Sequence, residues 1–113
     1  MPQSRPAWGG ALLEAEVKTK AEWQPVLDGG AWFDGVVAHD VIDLLPANSS
    51  LFAGNSLPIR HVEQFGAPSA KPLFVHANRG ASGIDGNVST ALGIGYARPV
   101  YPLAAIVGDI TLY

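Results

Sequence analysis

The chain has no cysteine and a single methionine in 113 residues. Without thiols it can build neither a disulfide nor a thiolate metal site, which suits a reducing compartment, so the expectation is a cytoplasmic protein. Charge is scarce as well. Asp, Glu, Lys and Arg make up 15% of the residues and the net charge is −3, so there is no basic footprint for nucleic acid. No apolar run approaches the roughly 18 residues that a membrane span needs, and the opening residues are not read as a signal peptide. Internal repeats are missing, as are a Walker loop, a G-x-S-x-G elbow and an H-E-x-x-H pair. His39, His61 and His76 lack ligand spacing and are read as structural. Matches to N-x-S/T at Asn48 and Asn87 are read as chance.

What remains is a hydrophobic chain, 48% apolar, large enough for one small domain or part of a larger one. Residues 1–10, with Pro2, Pro6, Gly9 and Gly10, read as linker. Ala11 to about Val26 predicts a helix with Leu13, Val17 and Ala21 along one side, stopped by Asp28-Gly29-Gly30. A second helix starts near Asp34, a candidate N-cap. It carries Val37, Val41, Leu44 and Leu45 on one face and ends at Pro46 and Asn48. Neither helix carries recognisable chemistry.

The pattern then changes. Leu51-Phe52-Ala53 reads as a short strand ending in Gly54-Asn55-Ser56, and a helix follows with Pro58 in its first turn. Gly66 to Pro72 reads as a turn-rich connection. Leu73 to Ala77 reads as a buried strand, followed by a glycine-rich loop and a helix with Val88, Ala91, Leu92 and Gly95 on one face. Leu103 to Val107 reads as a third strand, ending in Gly108-Asp109. Strand, helix, strand, helix, strand is the signature of a parallel sheet flanked by helices.

Each strand thus hands over to a polar, glycine-containing segment at its carboxyl end, where open α/β sheets bind ligands. Glycines there let backbone N–H groups reach an anion, although an ordinary strand-to-helix turn uses the same residues. Arg60 and Arg79 are expected on this edge. Arginine grips a carboxylate or phosphate bidentately, but most arginines are simply solvated. Asp109 could ligate a hard cation or merely cap the next element. Asp85 reads as a first-turn partner of the helix dipole. Gly86, Gly93 and Gly95 each cost a helix roughly 1 kcal/mol relative to alanine, which implies a close approach to that backbone.

The run Gly83-Ile84-Asp85-Gly86 through Ala97, followed by Ala104-Ala105-Ile106-Val107-Gly108-Asp109, resembles the diphosphate-binding domain of thiamine-diphosphate-dependent enzymes. Within that group, Gly54-Asn55-Ser56-Leu57-Pro58-Ile59-Arg60 and Asn78-Arg79-Gly80-Ala81-Ser82-Gly83-Ile84-Asp85-Gly86 closely resemble the menaquinone-pathway synthases. The likeness covers about residues 34–113. Residues 1–33 then correspond to a linker and helix leading in from a preceding domain.

The resemblance implies an α/β fold, a partial open parallel sheet with flanking helices forming the first half of the diphosphate-binding domain. It implies thiamine diphosphate with Mg²⁺ or Mn²⁺, and a reaction in which decarboxylated 2-oxoglutarate adds to isochorismate. Gly54, Asn55, Ser56, Gly83, Ile84, Gly108 and Asp109 would then face the cofactor, with Ile84 wedging it and Asp109 holding the metal. Ser56, Arg60 and Arg79 would face substrate carboxylates. No catalytic residue is expected within the chain, because the activating glutamate belongs to another domain, supplied by a partner subunit of a homo-oligomer. Two departures stand out. Ile110 follows Gly108-Asp109 where the wider group has glycine, a departure the menaquinone subgroup shares, and the downstream asparagine of the metal motif does not occur before Tyr113. The expectation is a fragment that is inactive alone. An acetolactate-synthase-like enzyme or decarboxylase, or a non-catalytic flavodoxin-like domain, is the alternative.

Overall fold

A computed structural model describes residues 7–66, 71–78, 80 and 82–113. The expected connection at 67–70 and the site residue Arg79 lie outside them, as do residues 1–6. The chain divides into two units, Met1–Trp32 and Phe33–Tyr113.

The first unit contains α1, Ala7–Asp28. It begins inside the segment read as linker. Gly9 and Gly10 each cost about 1 kcal/mol, and the good helix formers from Ala11 to Glu16 offset that. Pro25 lies inside the last turn, where it removes only one hydrogen bond. The helix stops before Gly29 and Gly30, the latter at φ +74°, a backbone conformation natural to glycine.

The second unit holds α2 (Asp34–Leu44), β1 (Ser50–Ala53), α3 (Leu57–Phe65), β2 (Phe74–His76), α4 (Asn87–Ala97), β3 (Leu103–Ile106) and a closing 3-10 turn, Asp109–Leu112. The sheet is wholly parallel in the order β2-β1-β3, with Leu51 opposite Val75 on one side and Ala104 on the other. The central strand is the core: Leu51, Phe52 and Ala53 are fully buried. Chain order places β2 and β3 on opposite sides of β1, so the gap beyond β1 and β3 is a topological switch point. Right-handed crossovers send α3 and α4 to opposite faces. The lining of two clefts agrees. Ile106 meets the α2–α3 side, whereas Leu103 and Ala105 meet α4.

Several expectations need correction. Asp34 is the first residue of α2 rather than its cap; Phe33 holds that position and makes no side-chain cap bond. Leu44 is 80% exposed, because α2 buries Gly35 and Ala38 instead of the larger residues at the end of its apolar stripe. Leu45 cannot continue the helix, since Pro46 disfavours the α conformation in the residue before it. The strand expected to be buried from Leu73 to Ala77 is shorter and lies at an edge, leaving Phe74 and Val75 44% and 54% exposed. Arg98 covers the Phe74 ring at 3.7 Å and donates to the Asn48 carbonyl at 2.9 Å. Asp85 precedes the Gly86 cap and lies outside the first turn of α4. Of its three glycines, Gly95 faces Leu103 closely, Gly86 is the cap and Gly93 has open space around it.

Packing of α2 on α3 depends on one missing Cβ. At Gly35 a Cβ would lie 2.6 Å from the Phe65 ring and would also strike Phe33, and the two rings meet edge to face at 5.3 Å. Gly35→Ala is therefore expected to destabilise this unit by about 1–3 kcal/mol through overpacking, despite the better helix propensity of alanine. Denaturant midpoints measure it. A gain in stability would show that both rings move aside freely.

Candidate functional site

The site is built where the three strands end. After β1 the backbone passes through Gly54, whose N–H donates to the Ile106 carbonyl at 2.8 Å and so continues the β1–β3 ladder past the strand. A Cβ at Gly54 would stand 3.1 Å from that same carbonyl oxygen and from Val107 Cγ1. A side chain here would have to push these two strand ends apart by a few tenths of an ångström. The Gly54 carbonyl then accepts from the Ile59 N–H at 3.1 Å, closing the turn into α3.

Between them, Ser56 adopts φ 76° and ψ −132°. For a residue with a Cβ this conformation costs on the order of 1–3 kcal/mol, and such strain gathers at ligand sites. The turn presents Ser56 to solvent and turns Asn55 inward, where it is 4% exposed. Asn55 Nδ2 donates to the Gly83 carbonyl, 28 residues later, at 2.5 Å. Pro58, in the first turn of α3, is buried.

Beyond β3, Gly108 precedes the 3-10 turn and Asp109 opens it. Asp109 Oδ1 accepts from the Ile110 N–H at 2.9 Å, so the aspartate does make the local turn bond. That bond fixes the carboxylate and uses one face of one oxygen. Ser56, Gly108 and Asp109 share a cleft of about 470 Å³, also lined by Asp34, Val37, Leu57, Pro58 and His61. A volume of this size lies within the range of small-molecule sites.

Asp34 and His61 were not among the expected site residues. Their signal was faint: His61 follows Leu57 by four residues, one turn along α3, and so shares its face. Arg60 lies on an exposed stretch of α3, 3.3 Å from Glu63, and does not line the cleft. Gly83 is exposed and Ile84 half-buried. The Ile84 carbonyl accepts from the Asn87 N–H at 3.1 Å in the turn that starts α4. Asn87 itself is fully buried, with its side chain between Asn78 and Thr111 at 3.5 Å each. It is thus a structural tie between the β2 and β3 ends, inaccessible as a glycosylation acceptor. Among the described residues, no group of three or more His, Cys, Asp or Glu side chains could hold a metal. No described helix is long and apolar enough to cross a membrane.

No family model matches the chain. Curated proteins do. The chain is 54% identical over 113 residues, all of its length, to the 2-succinyl-5-enolpyruvyl-6-hydroxy-3-cyclohexene-1-carboxylate synthase of Roseiflexus castenholzii. It is 50% identical over the same length to the protein of that name from Roseiflexus sp., and 42% identical over 98% of its length to that of Geobacillus kaustophilus. The chain spans 20%, 19% and 19% of these relatives, about a fifth of each. Over its whole length the chain is thus similar to one segment of the proteins named 2-succinyl-5-enolpyruvyl-6-hydroxy-3-cyclohexene-1-carboxylate synthase.

Proposed function

We propose that the chain forms part of the diphosphate end of the cofactor site in a thiamine-diphosphate-dependent synthase of menaquinone biosynthesis. The complete enzyme joins decarboxylated 2-oxoglutarate to isochorismate. One observation carries the reading: strained Ser56, Gly108 and Asp109 border a single cleft at the switch point of the sheet. The relatives' shared name supports it.

The residues fit such a group. A hard divalent cation prefers oxygen ligands, and Asp109 offers an exposed carboxylate already oriented by Ile110. Asp109 would hold the ion, which would supply positive charge against an anionic diphosphate. A Cβ at Gly108 would meet nothing within 4 Å, so the backbone beside Asp109 is open to a ligand. One or two carboxylates suffice for such an ion, because most of its remaining ligands come from phosphate oxygens and water.

Bound thiamine diphosphate supplies the electron sink for the decarboxylated 2-oxo acid. The chain's own part is to hold and orient. Asp109 and the Gly54–Ser56 turn fix the anionic end, and half-buried Ile84 bears on the body of the cofactor. Arg60 and Arg79 bind substrate carboxylates, with the Ser56 hydroxyl as a further hydrogen-bonding group. Arginine suits this because its planar fork matches a carboxylate. Arg60 reaches a substrate by exchanging its exposed partner Glu63, a pair that contributes little in water.

The test is turnover by the full-length gene product. With thiamine diphosphate and magnesium, 2-oxoglutarate and isochorismate should disappear one for one with release of CO2. Consumption of pyruvate in their place would transfer the protein to the acetolactate-synthase type, and no turnover of any 2-oxo acid would overturn the reading.

A further inference from the structure

We infer that Asn55 is a positioning residue that fixes the spacing between the β1–α3 turn, whose Ser56 lines the cleft, and the loop that leads into α4, and that its side chain acts on Gly83 in preference to a ligand. This rests on the proposed function for the meaning of the site, though the coupling itself does not. Asn55 follows β1 immediately, is 4% exposed, and places its amide N–H on the Gly83 carbonyl. Gly83 begins the turn that leads through Ile84 to α4, where the Asn87 N–H bonds the Ile84 carbonyl at 3.1 Å and the Thr90 N–H bonds that of Gly86 at 3.0 Å. This side-chain bond joins the strained β1–α3 turn to the start of the α4 turn.

The chemistry of the pair explains why an amide stands here. Gly83 is exposed and a Cβ there would touch nothing within 4 Å, so Gly83 has no side-chain packing of its own to hold it. A hydrogen-bond donor on rigid support can do so. Asn55 is rigid because the Gly54 bonds to Ile106 and Ile59 fix the backbone on its amino side, and because burial restricts its own rotamers. A donor is required, since the Gly83 carbonyl only accepts. Aspartate has the same shape but would set a carboxylate against that carbonyl.

The experiment is hydrogen exchange by mass spectrometry on the full-length protein without cofactor, comparing wild type with Asn55→Asp, Asn55→Ala and Asn55→Ser. Peptides covering residues 82–90 should exchange about threefold to tenfold faster in the aspartate and alanine variants, the range set by one net hydrogen bond. The serine variant, smaller but still a donor, should fall between them and wild type. Saturating thiamine diphosphate should narrow the difference, because a bound ligand reimposes the spacing. Unchanged exchange over 82–90 with weaker cofactor binding would make Asn55 a direct ligand and overturn the inference. Global loss of structure in all three variants would also overturn it, by making Asn55 a residue of core stability. Failure of the wild type to bind thiamine diphosphate would sink the proposed function alone, since the exchange comparison needs no cofactor.

Discussion

Asp109→Asn in the full-length protein is expected to weaken thiamine diphosphate binding about tenfold to a hundredfold at low magnesium, and to recover partly when magnesium is raised. The carboxylate carries a full charge towards a hard cation, where an amide offers only a dipole. Losing a charge-assisted contact costs about 1.5–3 kcal/mol, which sets that range. The fold should survive, because the substitution keeps the oxygen that accepts from the Ile110 N–H and Asp109 is exposed. Melting curves of the two proteins should therefore nearly coincide. Cofactor titrations at several magnesium concentrations check the point. Affinity that is lowered equally at every magnesium concentration would remove Asp109 from the metal.

Arg79→Ala or Arg60→Ala should act on the substrates instead. Each is expected to lower kcat/KM about tenfold to a hundredfold while the cofactor dissociation constant stays within about twofold. Lysine should rescue only in part, since it brings a point charge where a planar fork is needed. For Arg60 the structure makes the experiment clean. Its described partner, Glu63, is exposed and one turn away, and pairs of that kind add little to stability. A fall in kcat/KM can therefore not be passed off as unfolding. Steady-state kinetics in each substrate, set beside cofactor titration, decides the matter. A large loss of cofactor affinity with unchanged kcat/KM for both substrates would move these arginines to the diphosphate.

Local order was legible because it depends on neighbours along the chain. The run Leu51-Phe52-Ala53 reads as a short apolar strand and is one, and Pro58, the second residue of α3, marked that helix's start. The three polar strand ends were legible for the same reason. What failed depended on strand order. Leu73 to Ala77 is as apolar as β1, yet β2 lies at the edge, and nothing in its own residues says which neighbour it takes. The end of α2 failed similarly: Leu44 continues the apolar stripe, but the α2–α3 contact is made through Gly35, so the far end of the stripe meets no partner.

Within the site, the sequence pointed to Ser56, Gly108 and Asp109, and the fold brings them to one cleft. It could not indicate the strain at Ser56, because φ 76° is imposed by the hand-over from β1 to α3 and serine carries no mark of it. Nor could it pair Asn55 with Gly83 or place Asn87 between Asn78 and Thr111. Those contacts join residues 9 to 28 positions apart, and only the meeting of three strand ends makes them neighbours. Asp34 and His61 were passed over because the opening of α2 and one face of α3 reach the cleft through helix packing, which periodicity alone does not locate.

Calorimetric titration of thiamine diphosphate into the full-length protein, with magnesium and again with the metal chelated, tests the central claim most directly. The account predicts saturable binding near one cofactor per chain with magnesium, and binding weakened at least about tenfold once the ion is removed. No binding in either condition, or equal binding in both, would contradict a metal-dependent diphosphate site at the strand ends.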